Sequence, residues 1–129
     1  MTGAGQALQA AAIEALAGLP GLNGAYPGEP LQGAFPYALV EVGPELDWSH
    51  KGGKGRDVRL AAIVRDAGER PDRLQALGAA AEAALEAIGP VQGWALASFA
   101  FLRSRCVREG KGRWAMVIEF RARMLAQGE

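Results

Sequence analysis

Residues 94–125 read WALASFAFLRSRCVREGKGRWAMVIEFRARML, and this stretch decides the fold. Two β-prone runs, about Trp94–Arg108 and Arg113–Leu125, flank Glu109-Gly110-Lys111-Gly112, a glycine-bearing connection of the kind that closes a hairpin. The two-residue period of a strand puts Trp114, Met116, Ile118 and Phe120 on one face of the second run. A turn centred on Gly110-Lys111 brings Phe99 and Phe101 to that same face, next to Phe120 and Ile118. A slip of one residue instead sets Phe101 against Arg121, which buries a charge and exposes an aromatic ring. The first register is therefore expected. It also places Arg103 and Arg105 on the face of Trp114, where a guanidinium can rest on the indole.

Working toward the N-terminus, Leu74, Leu77, Ala81, Ala84, Leu85 and Ile88 form one apolar stripe at helical spacing. Pro71 suits the first turn of that helix and Gly89-Pro90 ends it. Before it, Arg56–Arg65 alternates, with Val58, Leu60, Ala62 and Val64 on one face. Tyr37–Val42 is a further strand, entered after Pro36 and ended by Gly43-Pro44; Glu45–His50 continues as another after the bend. Between them Lys51-Gly52-Gly53-Lys54-Gly55 concentrates three glycines in five residues. That density predicts a mobile hairpin tip, since glycine has the most backbone freedom to lose. From Ala4 to Leu19 the apolar positions Leu8, Ala12, Ala15, Leu16 and Leu19 predict a first helix, stopped by Pro20-Gly21. Residues 20–36 are rich in turn signals whose path is not readable, with one short edge strand around Ala25 and Tyr26. The order is α-β-β-β-α-β-β, which predicts an α+β fold: two helices packed on one face of a mainly antiparallel β-sheet, with residues 1–129 as one domain.

Composition narrows the function. At 129 residues, half of them hydrophobic and only 22% charged, the chain is too apolar for intrinsic disorder. Yet 44 residues are Ala or Gly against 29 Leu, Ile, Val and Phe, so the core is small and gains from subunit contacts. No run reaches the roughly 18 apolar residues of a membrane-spanning helix, and no Lys or Arg precedes Lys51 to begin a signal peptide. A cytoplasmic protein without a membrane partner is expected. A single cysteine, Cys106, and a single histidine, His50, rule out an internal disulfide and a Cys/His zinc cluster. Neither cofactor nor metal is expected. The formal net charge is zero, but residues 1–50 carry −5 and residues 51–129 carry +5. Such a chain is electrically two-ended.

Candidate chemistry is sparse. Asp47, His50 and Asp57 lie close in sequence, and a carboxylate can orient a histidine for acid/base work. They flank a glycine-rich tip with no evident pocket, so a solvated or interface histidine is the expected reading. The Lys51–Gly55 glycines lack phosphate-loop spacing and lead into a strand. Cys106 reads as a small hydrophobe. Phe99, Phe101, Trp114 and Phe120 suit either core packing or base stacking, with core packing expected. The final hairpin is more telling: Arg103, Arg105, Arg108, Lys111, Arg113, Arg121 and Arg123 meet only Glu109 and Glu119, a local +5. This patch fits phosphate backbones or an acidic protein surface such as Glu41 or Glu45.

The sequence of features is itself informative. An Ala-rich helix, a Pro/Gly-rich connection, Phe35-Pro36-Tyr37-Ala38-Leu39-Val40, Asp47-Trp48-Ser49 before a glycine-rich tip, an alternating strand, an Ala/Leu helix and a final hairpin together resemble the tail-completion (tail-terminator) family of long-tailed phages, prophages and gene transfer agents. The resemblance spans nearly the whole chain. It implies a homo-oligomeric ring, a hexamer, at the head-proximal end of the tail tube, with the tail tube protein and the head-tail connector protein as partners. DNA then passes through the lumen without specific binding. It implies assembly in the bacterial cytoplasm followed by residence in the particle tail, and it supplies no catalytic residues. Trp48, His50, Lys51, Lys54, Arg103, Arg105, Arg113, Glu41 and Glu45 are the candidate interface residues. The alternative function is a small nucleic-acid-binding module using the basic C-terminal hairpin.

Overall fold

Val58, Leu60, Ala62 and Val64 are buried as their alternation requires, and they sit on a central strand of a five-stranded sheet. In this computed structural model, which describes residues 2–127, the chain runs through α1 (Ala4–Ala17), β1 (Ala25–Tyr26), β2 (Tyr37–Asp47), β3 (Gly55–Ala67), α2 (Asp72–Glu86), β4 (Trp94–Gly110) and β5 (Arg113–Ala126). The strands lie in the order β1-β2-β3-β5-β4; β1 pairs parallel with β2 and every other pair is antiparallel. The fold is the α+β arrangement expected. Leu8, Ala12 and Leu16 of α1 and Leu74, Leu77, Ala81 and Leu85 of α2 join Val40, Leu60, Val64, Ile118, Phe120 and Met124 in one core. Both helices thus cover one face of the sheet. Gly78 lets α2 approach β5 closely, since a Cβ there would lie 2.8 Å from Met116 Cγ.

Three details depart from expectation. Gly43-Pro44 does not end a strand: β2 runs through it as a bulge, with register shifting between Val42 and Glu45. Beyond Leu39 no strand among the described residues pairs on β2's other side, so Pro44 leaves no ladder bond unmade there. The glycine-rich tip is likewise not an open loop. His50 and Gly53 exchange both backbone hydrogen bonds at 3.0 Å, Trp48 N–H donates to Gly55 O at 2.9 Å, and Ala126 N–H donates to Lys54 O at 2.9 Å. Only Lys51 and Gly52 are left as the turn. Gly55 serves close approach, because a Cβ there would stand 2.4 Å from Trp48 O.

The last departure concerns the hairpin register. The turn is Lys111-Gly112, one residue later than expected, yet Phe101 still faces Phe120. Irregularities between Arg108 and Gly110 and between Phe101 and Arg103 each shift the register by one residue, and together they restore the aromatic pairing. Phe99 stacks on Phe120 at 4.7 Å between ring centroids and Phe101 meets it edge-on at 5.8 Å, while Ile118 lies opposite Ser104. Between the two irregularities the faces of β4 are exchanged. Arg103 and Arg105, opposite Glu119 and Val117, therefore leave the face of Trp114, and Arg108 takes their place with its guanidinium 5.7 Å from the indole. Only the tertiary structure contains this correction, because a bulge adds one residue without a sequence period to announce it.

Candidate interface surface

The side of the sheet away from the helices is where the charges collect. On β3 and β5 the odd positions point there, so Asp57, Arg59, Glu119, Arg121 and Arg123 form a band across two adjacent strands. Asp57, although nearly buried, accepts hydrogen bonds from Arg121 Nε at 3.0 Å and from Arg123 Nε at 3.3 Å. The Arg121 hydrogen bond, helped by Arg123, holds its carboxyl below the usual carboxylate range against the opposing effect of burial. Arg59 lies directly opposite Arg121. Like charges so placed repel, and Asp57 relieves the repulsion only on the Arg121 side.

Trp48 extends this band, with the Arg123 guanidinium 5.5 Å from its ring and the His50 imidazole edge-on at 6.4 Å. His50 is exposed, and its Nδ1 accepts a hydrogen bond from Gly52 N–H at 3.1 Å. Asp47 binds Ser49 instead, accepting from Oγ–H at 2.7 Å, and this bond holds the Asp47 carboxyl below its ordinary range. Asp57 is held by its two arginines. The sequence neighbours Asp47, His50 and Asp57 thus have separate partners and form no acid/base relay.

The remaining candidates fall at opposite ends of the sheet. Glu41 is exposed and belongs to the row Glu41, Ala61, Glu119, Arg103 that crosses from β2 to β4. Arg103 Nε donates to Glu119 Oε2 at 2.8 Å with its side chain still 69% exposed, and Arg105 is exposed beside it. Glu45 points to the helix side. Its Oε1 accepts from Gly5 N–H at 3.2 Å in the first turn of α1, where a carboxylate complements the helix dipole, and it pairs with Arg56 at 3.5 Å. That role lies within the subunit. Lys51 and Lys54 are exposed at the hairpin tip, and Arg113 lies over the Phe35 ring at 4.9 Å.

A second polar cluster escaped the sequence reading. Arg65 joins Glu29 of the β1–β2 connection to Glu109 at the end of β4, donating to Glu29 Oε2 at 2.7 Å and to Glu109 Oε1 at 3.1 Å. Tyr37 Oη–H donates to Glu29 Oε2 at 2.9 Å, and with Arg65 this bond lowers the Glu29 carboxyl pKa. Burial and the Glu29 carboxylate raise the Tyr37 hydroxyl; burial opposes the charged Arg65 but is outweighed by its hydrogen bonds to Glu29, Tyr37 and Glu109. The cluster pins the turn-rich connection to the sheet. Its partners are separated by 36 and 44 residues, and no local spacing signals them.

Fold and surface together define an α+β domain whose distinctive chemistry is a charged, helix-free sheet face with differently charged edges. The model of the tail completion protein gp17 family matches residues 5–125. The chain belongs to this family and is a tail structural protein. Among solved structures, a chain described as "Virion of native gene transfer agent (GTA) particle" is 27% identical, with a TM-score of 0.74 covering 97% of this chain and 100% of that one. No curated protein matches.

Proposed function

We propose that the protein forms a hexameric ring at the head-proximal end of a tail tube, where it terminates the tail and joins it to the head connector. The observation that carries this reading is the coincidence of family membership with a full-length structural likeness to a chain of an assembled gene transfer agent virion. The subunit's partners are then copies of itself, the tail tube protein and the connector protein. It assembles in the bacterial cytoplasm and ends in the particle tail. Its role is contact without catalysis or cofactor, and DNA crosses the lumen without specific binding.

The direct test is electron microscopy of particles made with and without this chain. Tails that stop at the normal length and join heads only when it is present support the proposal. Normal head-tail joining in its absence overturns it. The helix-free face favours one other reading, a nucleic-acid-binding module, because Arg59 and Arg121 are opposed across strands where a phosphate would relieve the repulsion. DNA affinity falling steeply with added salt, together with dispensability for tails, selects that reading.

A further inference from the structure

Large exposed hydrophobic side chains among the described residues are few, and those on strands fall on β2 and β4. Leu46, 59% exposed, is on β2, and Leu31, fully exposed, is in the connection leading into it; Phe101 at 38% and Leu102 at 40% are on β4. The charges divide the same way. Glu41 and Asp47 line the half of β2 that β1 leaves unpaired, with Glu45 between them held within the subunit, whereas Arg103, Arg105 and Arg108 line β4, the opposite edge strand. Glu41 and Arg103 also occupy the two ends of one cross-strand row on the same face of the sheet. A lateral displacement of one copy along that row, keeping the faces aligned, brings the basic edge of one copy against the acidic edge of the next.

The geometry points to a head-to-tail contact between copies of this chain, in which the Phe101–Arg105 edge of β4 meets the Glu41–Asp47 edge of β2. The occupant of each edge is a second copy because each carries what the other lacks: opposite charge and an apolar counterpart. A polyanion would match only the basic edge and would be repelled at the other. Such a contact is heterologous, and a rotation between successive copies, added to the lateral displacement, closes it into a ring. Side chains make it. Pro44 and the bulge at Val42/Glu45 interrupt the β2 edge, and three register shifts interrupt β4, so a continuous main-chain ladder between copies is disfavoured. The inference rests on the ring reading and specifies its interface.

A charge exchange tests it. Glu41 and Arg105 take part in none of the ion pairs among the described residues, so Glu41→Arg and Arg105→Glu remove no ion pair of the subunit. Native mass is measured for the full chain, alone and with tail tube protein. Each variant by itself should associate about tenfold or more weakly, because like charges then face each other. Mixing the two variants should restore association, as an alternating ring with an even number of subunits; restoration also shows that both variants are folded. Leu46→Ser and Leu102→Ser, each alone, should weaken the same association through its apolar half. If wild-type rings form and all four variants form them equally well, the edge contact is wrong while the ring stands. If the wild type stays monomeric under every condition, with tube protein included, both ideas fail. If Arg105→Glu removes only DNA binding and keeps the ring, the β4 edge serves nucleic acid and the inference is overturned.

Discussion

β3 and β4 belong to the same sheet but answer to different demands. β3 has 13 residues, pairs along both edges, and alternates between buried helix-side positions and outward ones. β4 is longer, 17 residues, yet only Trp94 at its start is buried, and its pairing with β5 shifts register three times. A strand paired on both sides has its register fixed by the burial pattern on one face, because a slip would turn the whole apolar set toward water. An edge strand escapes that constraint, so charge, bulges and exposed aromatics can collect on it at little cost to folding. Stability therefore resides in the centre of the sheet, and the proposed contact between copies falls at its margins.

Substitutions can break this division, and the largest expected effect is at Phe120, fully buried between Phe99 and Phe101. Phe120→Ala should destabilise the protein by about 3–5 kcal/mol in urea unfolding, whereas Leu102→Ala on the exposed margin should cost about 0.5 kcal/mol or less. Equal costs would show that the β4 margin is as integral to the core as β5, the interior strand that carries Phe120. Next in size is the hairpin between β2 and β3. Gly55→Ala places a methyl group against Trp48 O and should cost about 1–3 kcal/mol, while Gly53, with nothing within 4 Å of a new Cβ, should tolerate alanine within about 0.5 kcal/mol. No loss at Gly55 would return the segment to the open tip that the sequence predicts.

Asp57 sharpens the comparison through pH, since it is a charge held on the central strand. Its carboxyl pKa is lowered in the folded state by Arg121 and Arg123. The associated stability is complete above the ordinary carboxylate pKa and is lost as pH falls through the depressed folded value. Asp57→Asn should cost about 1–2 kcal/mol at neutral pH and flatten the acid limb of the stability curve below about pH 4. An unchanged limb would mean that the arginines do not hold this carboxylate in solution. The smallest effect belongs to His50, exposed at the margin with one backbone donor on its ring. His50→Ala should change stability by about 0.5 kcal/mol or less and leave tail assembly intact. Abolition of a measurable hydrolytic activity by that change alone would overturn the non-enzymatic reading.

The sequence by itself determined whatever depends on period and punctuation. The 3.6-residue stripe of Leu74, Leu77, Ala81 and Leu85 and the two-residue alternation of Val58 to Val64 specify helix, strand and the face each buries, because a misplaced apolar side chain forfeits its burial energy. Turn signals marked the short edge strand at Ala25 and Tyr26, whereas the expected Phe101–Phe120 contact rested on a turn placed one residue early and holds only because two bulges offset that shift. Among the candidate interface residues, sequence put acidic side chains early and basic ones late. It left open which edges they occupy. Only the tertiary structure decided that Arg108 and not Arg103 or Arg105 meets Trp114, that Glu45 binds α1, that Arg65 joins Glu29 to Glu109, and that the acidic and basic edges lie at opposite sides of the sheet. A bulge leaves no periodic trace, and ion pairs across dozens of residues depend on where the chain returns in space, which the full set of packing contacts fixes at once.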